Sequence, residues 1–152
     1  MSKIVGIGAN VFDTLYNIPT YPKEDTKMRA TASKTAGGGP VATGLVAARK
    51  LGEDAAYIGV LSDDNGGKFL KEDFLKYGVE TKHIAKGGER LGIYFLETGA
   101  AMRASNVVYV RAHSSISTAT AADFDFDEIF EGADWFHFTG ITPAVSDAAA
   151  EL

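Results

Sequence analysis

Two stretches and two tyrosines carry side chains or backbone suited to binding chemistry. Gly37-Gly38-Gly39-Pro40 breaks the chain just before a run, Val41 to Leu51, with apolar residues at helical spacing. Glycine lets a backbone approach a ligand closely, and the first turn of a following helix offers N–H groups with no internal partner. The same residues also make an ordinary strand-to-helix loop that binds nothing. Tyr109-Val110-Arg111 lies in a segment that alternates like a hairpin strand. A guanidinium grips a carboxylate with two parallel hydrogen bonds. Arg111 is equally readable as a solvated hairpin charge. Tyr94 and Tyr109 are suited to stacking on or hydrogen-bonding a bound molecule, and equally to packing across strands.

Other patterns fail on spacing or context. Gly6-Ile7-Gly8-Ala9-Asn10-Val11 begins like a dinucleotide fingerprint, but Val11 stands at its third glycine and no helix opens there. There is no Walker sequence. Asp63-Asp64-Asn65 lacks the spacing and closing Glu of a calcium loop and reads as a helix cap. His83, His113 and His137 show no metal-ligand pairing, and no metal site is expected. His137, inside an apolar run, reads as a core or lining residue. Ser114 and Ser115 beside His113 are neighbours in sequence, which does not make a triad. Asp123, Asp125, Asp127 and Glu128 read as a solvated helix start.

The elements that must position these residues follow from periodicity. Lys3–Ala9, Ala55–Leu61 and Trp135–Thr139 read as buried strands. Helices are expected over Val41–Leu51, Lys68–Tyr77 and Ala122–Phe130, ended by Gly52, Gly78 and Gly132, with a last one from Asp147 to Leu152. Two pairs of alternating strands interrupt this: Phe12–Ile18 with Lys27–Ala32, and Arg90–Glu97 with Asn106–Ala112. Buried strands alternating with helices indicate an α/β fold with a mainly parallel sheet, and the inserted pairs indicate a second small sheet. The 152 residues fit one domain. The last helix has no C-terminal stop signal, which points to a chain cut within a domain or completed by another polypeptide.

Composition narrows the partners. The net charge of −5 speaks against nucleic acid, whose phosphates need clustered cations. No apolar run is long enough to span a membrane, and the first strand is too short for a signal peptide. The absence of cysteine excludes disulfides and fits a reducing cytoplasm, the expected location.

The segment from Gly37 through Leu51-Gly52 resembles the first signature of the ribokinase-like (PfkB) sugar kinases. Tyr57–Gly67, continuing to Tyr77-Gly78-Val79, is similar to that family's next strand, turn and helix. Asp13 stands shortly after the first strand, where the family places a sugar-binding Asp. A narrower resemblance, to the family's 2-keto-3-deoxygluconate kinases, rests on Tyr109-Val110-Arg111 with Ser114-Ser115, and on Gly132 through Ser146. Thr43 is a departure, since the signature usually has Asn there. Thr lacks the two amide donors, which leaves the sugar open.

The resemblance implies a ribokinase-like fold: a Rossmann-like parallel sheet flanked by helices, with a small inserted β-sheet lid over residues 12–32 and 90–112. It implies that residues 1–152 are the N-terminal half of one kinase domain and lack the nucleotide-binding half. It implies ATP-dependent phosphorylation of a sugar or sugar-acid hydroxyl with Mg²⁺, a catalytic base outside this chain, and a homodimer formed through the lid. Asp13, Gly38, Gly39 and Thr43 would meet the sugar, with Tyr94 and Tyr109 beside it, and Arg111 would meet a carboxylate. A neutral-sugar kinase and a non-catalytic sugar-binding fragment are the alternative expectations.

Overall fold

The computed structural model describes residues 1–152. In chain order the elements are β1 (Lys3–Ile7), β2 (Val11–Asn17), β3 (Ala32–Gly38), α1 (Pro40–Lys50), β4 (Asp54–Leu61), α2 (Asn65–Lys76) and β5 (Ile84–Lys86). β6 (Ile93–Glu97), β7 (Asn106–Val110), α3 (Phe126–Phe130), β8 (Trp135–Phe138) and α4 (Asp147–Ala150) complete it. Short 3₁₀ turns at Ser115–Thr118 and Ala121–Asp123 lie between β7 and α3. No helix is long and apolar enough to cross a membrane.

β5, β4, β1 and β8 form one parallel sheet in that order. The pleat of β4 sorts its side chains onto two cores. Ala55 and Tyr57 pack with Val41 and Leu45 of α1 and Phe74 of α2. Ala56 and Ile58 pack with Val5, Ile7 and Ile129 of α3 on the other face. Leu45 and Val5 are fully buried, each worth about 1.5–3 kcal/mol of apolar transfer. α2 starts at Asp64, whose carboxylate accepts from the Gly67 amide at 2.8 Å. That bond holds the Asp64 pKa below its ordinary value. Asp63 instead pairs with Lys86, so this acidic turn caps and pairs, as its sequence indicates. Gly52, Gly78 and Gly132 follow their helices with positive φ.

Several boundaries differ from the sequence expectation. The partner of β2 is residues 32–38 and not 27–32: the ladder runs from Val11 opposite Gly38 to Asn17 opposite Ala32. Gly37 and Gly38 are therefore strand residues. Pairing the two segments nearest β1 and α1 leaves Pro19 and Pro22 in the loop, where neither removes a ladder bond. The inserted strands form two separate two-stranded ribbons, β2–β3 and β6–β7, and not one small sheet. The expected helix over 122–130 is split: Asp123 completes a capping box with Thr120, and Asp125 caps α3 by accepting from Glu128 at 3.1 Å. Two capping carboxylates so close favour two short turns over one helix. β5 is only three residues long and carries too little pattern to be read. β8 lies at the sheet edge, with Trp135 67% and Phe138 54% exposed, so it is not buried in this chain.

The buried Tyr57 hydroxyl donates to the carbonyl of Gly8, just beyond β1. Burial pushes this phenol well above its ordinary value of 10.0, against a smaller opposing pull from the Asn10 amide. A raised folded-state pKa contributes stability in full below the unfolded value, and that contribution is lost as pH rises through and beyond about 10. Tyr57→Phe strands the Gly8 carbonyl and is expected to cost about 1–3 kcal/mol at neutral pH. It should also flatten the alkaline decline. Urea midpoints at pH 7 and pH 10.5 for both proteins measure this; parallel pH profiles would refute it.

Candidate functional site

The sheet order places β4 and β8 on opposite sides of β1. A crevice outside the carboxyl ends of the strands at such a reversal is where open α/β sheets bind ligands. β1 leads through Gly8-Ala9-Asn10 into β2, and β3 leads directly into α1. The loop and the first ribbon thus stand at that crevice.

Asp13 is the third residue of β2, opposite Ala36 on β3. One of its oxygens accepts from the Tyr94 hydroxyl at 3.0 Å, which ties the first ribbon to the second. Its other oxygen faces Gly38: a side-chain carbon at Gly38 would stand 2.6 Å from it. Gly38 therefore keeps that oxygen's approach open. Tyr94 lies directly opposite Tyr109 across β6–β7, with ring centroids 6.2 Å apart. The Arg111 guanidinium sits 4.0 Å from the Tyr109 ring centroid. Partial loss of water, then the Asp13 carboxylate, raises the Tyr94 pKa. Tyr94 accordingly stays protonated and donating at neutral pH.

Gly39 lies at φ 98°, ψ 143°, as the N-cap of α1. That backbone region is essentially confined to glycine. A side-chain carbon there would also stand 2.6 Å from the Ala9 carbonyl oxygen. α1 has no side-chain cap and no acid in its first turn, and Pro40 opens it. Its leading amides are left for other acceptors. Thr43 is exposed one turn into α1; its amide donates to Gly39 at 2.9 Å, and no hydrogen bond joins its hydroxyl to the chain. The structure thus gathers Asp13, Gly38, Tyr94, Tyr109 and Arg111 into one contact chain. Gly39 and Thr43 line the neighbouring helix entrance.

Other residues shape the site without having been singled out for it. Tyr57 fixes Gly8, and Arg90 donates to backbone carbonyls at the base of the second ribbon. Only a large aromatic two residues before Gly59 in a buried strand could have flagged Tyr57. Nothing in the sequence distinguishes Arg90 from a surface charge. His137 is half-buried beneath α1, 3.2 Å from where a Gly44 side chain would begin, consistent with a lining residue.

The sequence profile of the pfkB family carbohydrate kinases matches residues 1–152. The chain belongs to the PfkB family of carbohydrate kinases. It is 37% identical over 106 residues to a 2-dehydro-3-deoxygalactonokinase of Haloferax volcanii, covering 70% of this chain and 33% of that protein. It is 29% identical over 112 residues to a ribokinase of Haemophilus influenzae, covering 73% of this chain and 37% of that one. The crystal structure of a 2-dehydro-3-deoxygluconokinase from Thermotoga maritima superposes with a TM-score of 0.81 at 38% identity, over 96% of this chain and 43% of that one. This PfkB chain thus spans about a third of the length of the curated relatives it matches.

The two glycines before α1 are expected to separate binding from stability. If Asp13 holds a sugar, Gly38→Ala should crowd it and weaken sugar binding about tenfold or more, while changing stability by less than about 1 kcal/mol. Gly39→Ala should instead cost about 1–3 kcal/mol through backbone strain. Calorimetric titration with 2-keto-3-deoxygluconate and with ribose, alongside denaturant melts, checks both. Unchanged binding of both sugars in Gly38→Ala would remove Asp13 from the site.

Proposed function

We propose that this chain supplies the sugar-binding part of a PfkB kinase that phosphorylates a hydroxyl of a sugar acid of the 2-keto-3-deoxygluconate type. The observation that carries this reading is the placement of Arg111. A cation stacked on Tyr109, three contacts away from the Asp13 carboxylate, marks one end of a face whose other end accepts hydroxyl protons. Asp13, oriented by Tyr94, holds a sugar hydroxyl. Gly38 and Gly39 let the ligand lie against the backbone, and Thr43 meets it from the helix entrance. Arg111 pairs with the carboxylate.

PfkB kinases use ATP and a divalent metal. The acidic groups here do not fit the metal: Asp13 is engaged by Tyr94, Asp63 by Lys86 and Asp64 by its own helix, and no three His, Asp or Glu residues converge. Phosphate transfer and its catalytic base are assigned outside these residues, so the 152-residue chain alone is proposed to be inactive as a kinase. The exposed outer face of β6–β7, with Ile93, Phe95, Val108 and Val110 on one side of the ribbon, is the surface this reading gives to a second copy. A neutral-sugar kinase is the second reading. It draws on Thr43 and on the ribokinase relative.

Arg111→Ala decides between them. Losing a charge-assisted bidentate contact is expected to cost about 2–5 kcal/mol for 2-keto-3-deoxygluconate, at least about an order of magnitude in affinity. Ribose, which has no carboxylate, should bind the variant unchanged. Equal losses for both sugars make Arg111 structural, and no loss for either moves the reading to a neutral sugar.

A further inference from the structure

We infer that Arg90 is a positioning residue for Arg111: its guanidinium holds the backbone on both sides of Arg111 and so sets where the Arg111 side chain stands. This deepens the sugar-acid reading of Arg111 and rests on it. Arg90 precedes β6, far in sequence from Arg111, yet one nitrogen donates to the carbonyls of Leu91 at 2.9 Å and Val110 at 3.1 Å. The other donates to the carbonyl of Ala112 at 2.8 Å. Val110 and Ala112 flank Arg111. Val110 ends β7 and Ala112 begins the turn that Ser114 closes, and one planar fork takes both carbonyls. The intervening carbonyl, of Arg111 itself, accepts from the Ser114 amide at 3.2 Å.

Three successive carbonyls are therefore held, and the Cα of Arg111 has little freedom left. Its stem passes Gly92, with Cγ 3.8 Å from where a side chain there would begin, and its guanidinium reaches the Tyr109 ring. Arg90 is itself anchored. Its carbonyl accepts from the Ser115 amide at 2.8 Å and the Ser115 hydroxyl at 3.0 Å, and it bridges to Ser114. A side chain at Gly88 would collide with the Ser115 backbone, so the entry strand closes tightly on the exit strand. The base of the ribbon is a cross-tie with Arg90 at its centre, and Arg111 is the functional side chain that the tie aims.

The test compares Arg90→Ala, Arg90→Lys, Arg111→Ala and the Arg90→Ala/Arg111→Ala pair in the 152-residue chain. Binding of 2-keto-3-deoxygluconate and of ribose is titrated, and the Arg111 side-chain protons are followed by NMR without ligand. Stacked on Tyr109, those protons carry a ring-current shift. Arg90→Ala is expected to weaken sugar-acid binding about tenfold, to leave ribose binding intact and to abolish the ring-current shift. Arg90→Lys, which keeps the charge but loses the planar fork, should fall between. The double variant should bind no more weakly than Arg111→Ala alone, since Arg90 then has nothing to aim. Losses that multiply in the double variant, an equal loss for ribose, or an unchanged ring-current shift would each overturn the proposal. If Arg111→Ala itself binds the sugar acid normally, the sugar-acid reading fails, and the ring-current shift alone decides on Arg90. If Arg90→Ala does not fold, Arg90→Lys supplies the same readings.

Discussion

The carbonyl of Gly8 ends β1 in a buried position, and a buried backbone carbonyl needs a donor. Tyr57, reaching along β4 from the neighbouring strand, supplies it. Much of the site's geometry follows from that one bond. The phenol ring occupies the space a side chain at Gly59 would fill, its Cζ 2.7 Å from that position. Gly8 in turn has no side chain because Val41 of α1 presses against it. With Gly8 fixed between a strand and a helix, the chain leaves β1 at one angle and enters β2 three residues later. Asp13 inherits its position from this turn. Gly39 docks on Ala9 within the same turn, so the start of α1 inherits it too.

Against this fixed floor, the two ribbons are lightly held to each other. Between them run the Tyr94–Asp13 hydrogen bond and the Arg103 guanidinium over the Tyr21 ring at 5.6 Å, while the cation over Tyr109 lies within the second ribbon. An exposed hydrogen bond nets about 0.5–1.5 kcal/mol, and an exposed cation–π contact about 0.5–1 kcal/mol. Each is small beside the burial energy of α1 on the sheet. The fold thus divides into a rigid surface that places glycines and amides, and ribbons whose relative placement a ligand is able to influence. A ligand touching both Asp13 and Arg111 adds its own contacts to weak ones already in place.

β1 and β4 were legible because they are apolar on both faces, and the helices because they carry glycine stops at Gly52, Gly78 and Gly132. Asp13, Gly38, Tyr94, Tyr109 and Arg111 were legible chiefly through resemblance; their residue types alone left the bland readings open. Their convergence was not legible, because it depends on ribbon register. Reading residues 27–32 as the partner of β2 hid that Gly38 lies beside Asp13. The pattern was misleading there: Ala32–Gly38 is small and polar, with no apolar alternation, since its pairing is fixed by its neighbours β1 and α1 and not by a buried face. β8 misled in the opposite direction. Its aromatic run reads as a core strand, yet it is an edge in this chain. Arg90 left no signal, because a guanidinium that bonds only to backbone carbonyls looks in sequence like any surface arginine.

If Arg111 meets a carboxylate as proposed, its placement also decides what kind of discrimination the site exerts. A fully buried, unpaired guanidinium would reject a neutral sugar outright, because the charge would be left without a partner. Arg111 is only half-buried, and the Tyr109 ring already faces it. A neutral sugar therefore strands nothing, and its binding is not penalised. Selectivity must come from what an acid gains, a bidentate pair with a preplaced fork, and not from what a neutral sugar loses. That gain depends on how accurately the fork is held before the ligand arrives. On that proposal, the backbone around Arg111, more than the charge it carries, sets how strongly an acid is preferred over a neutral sugar.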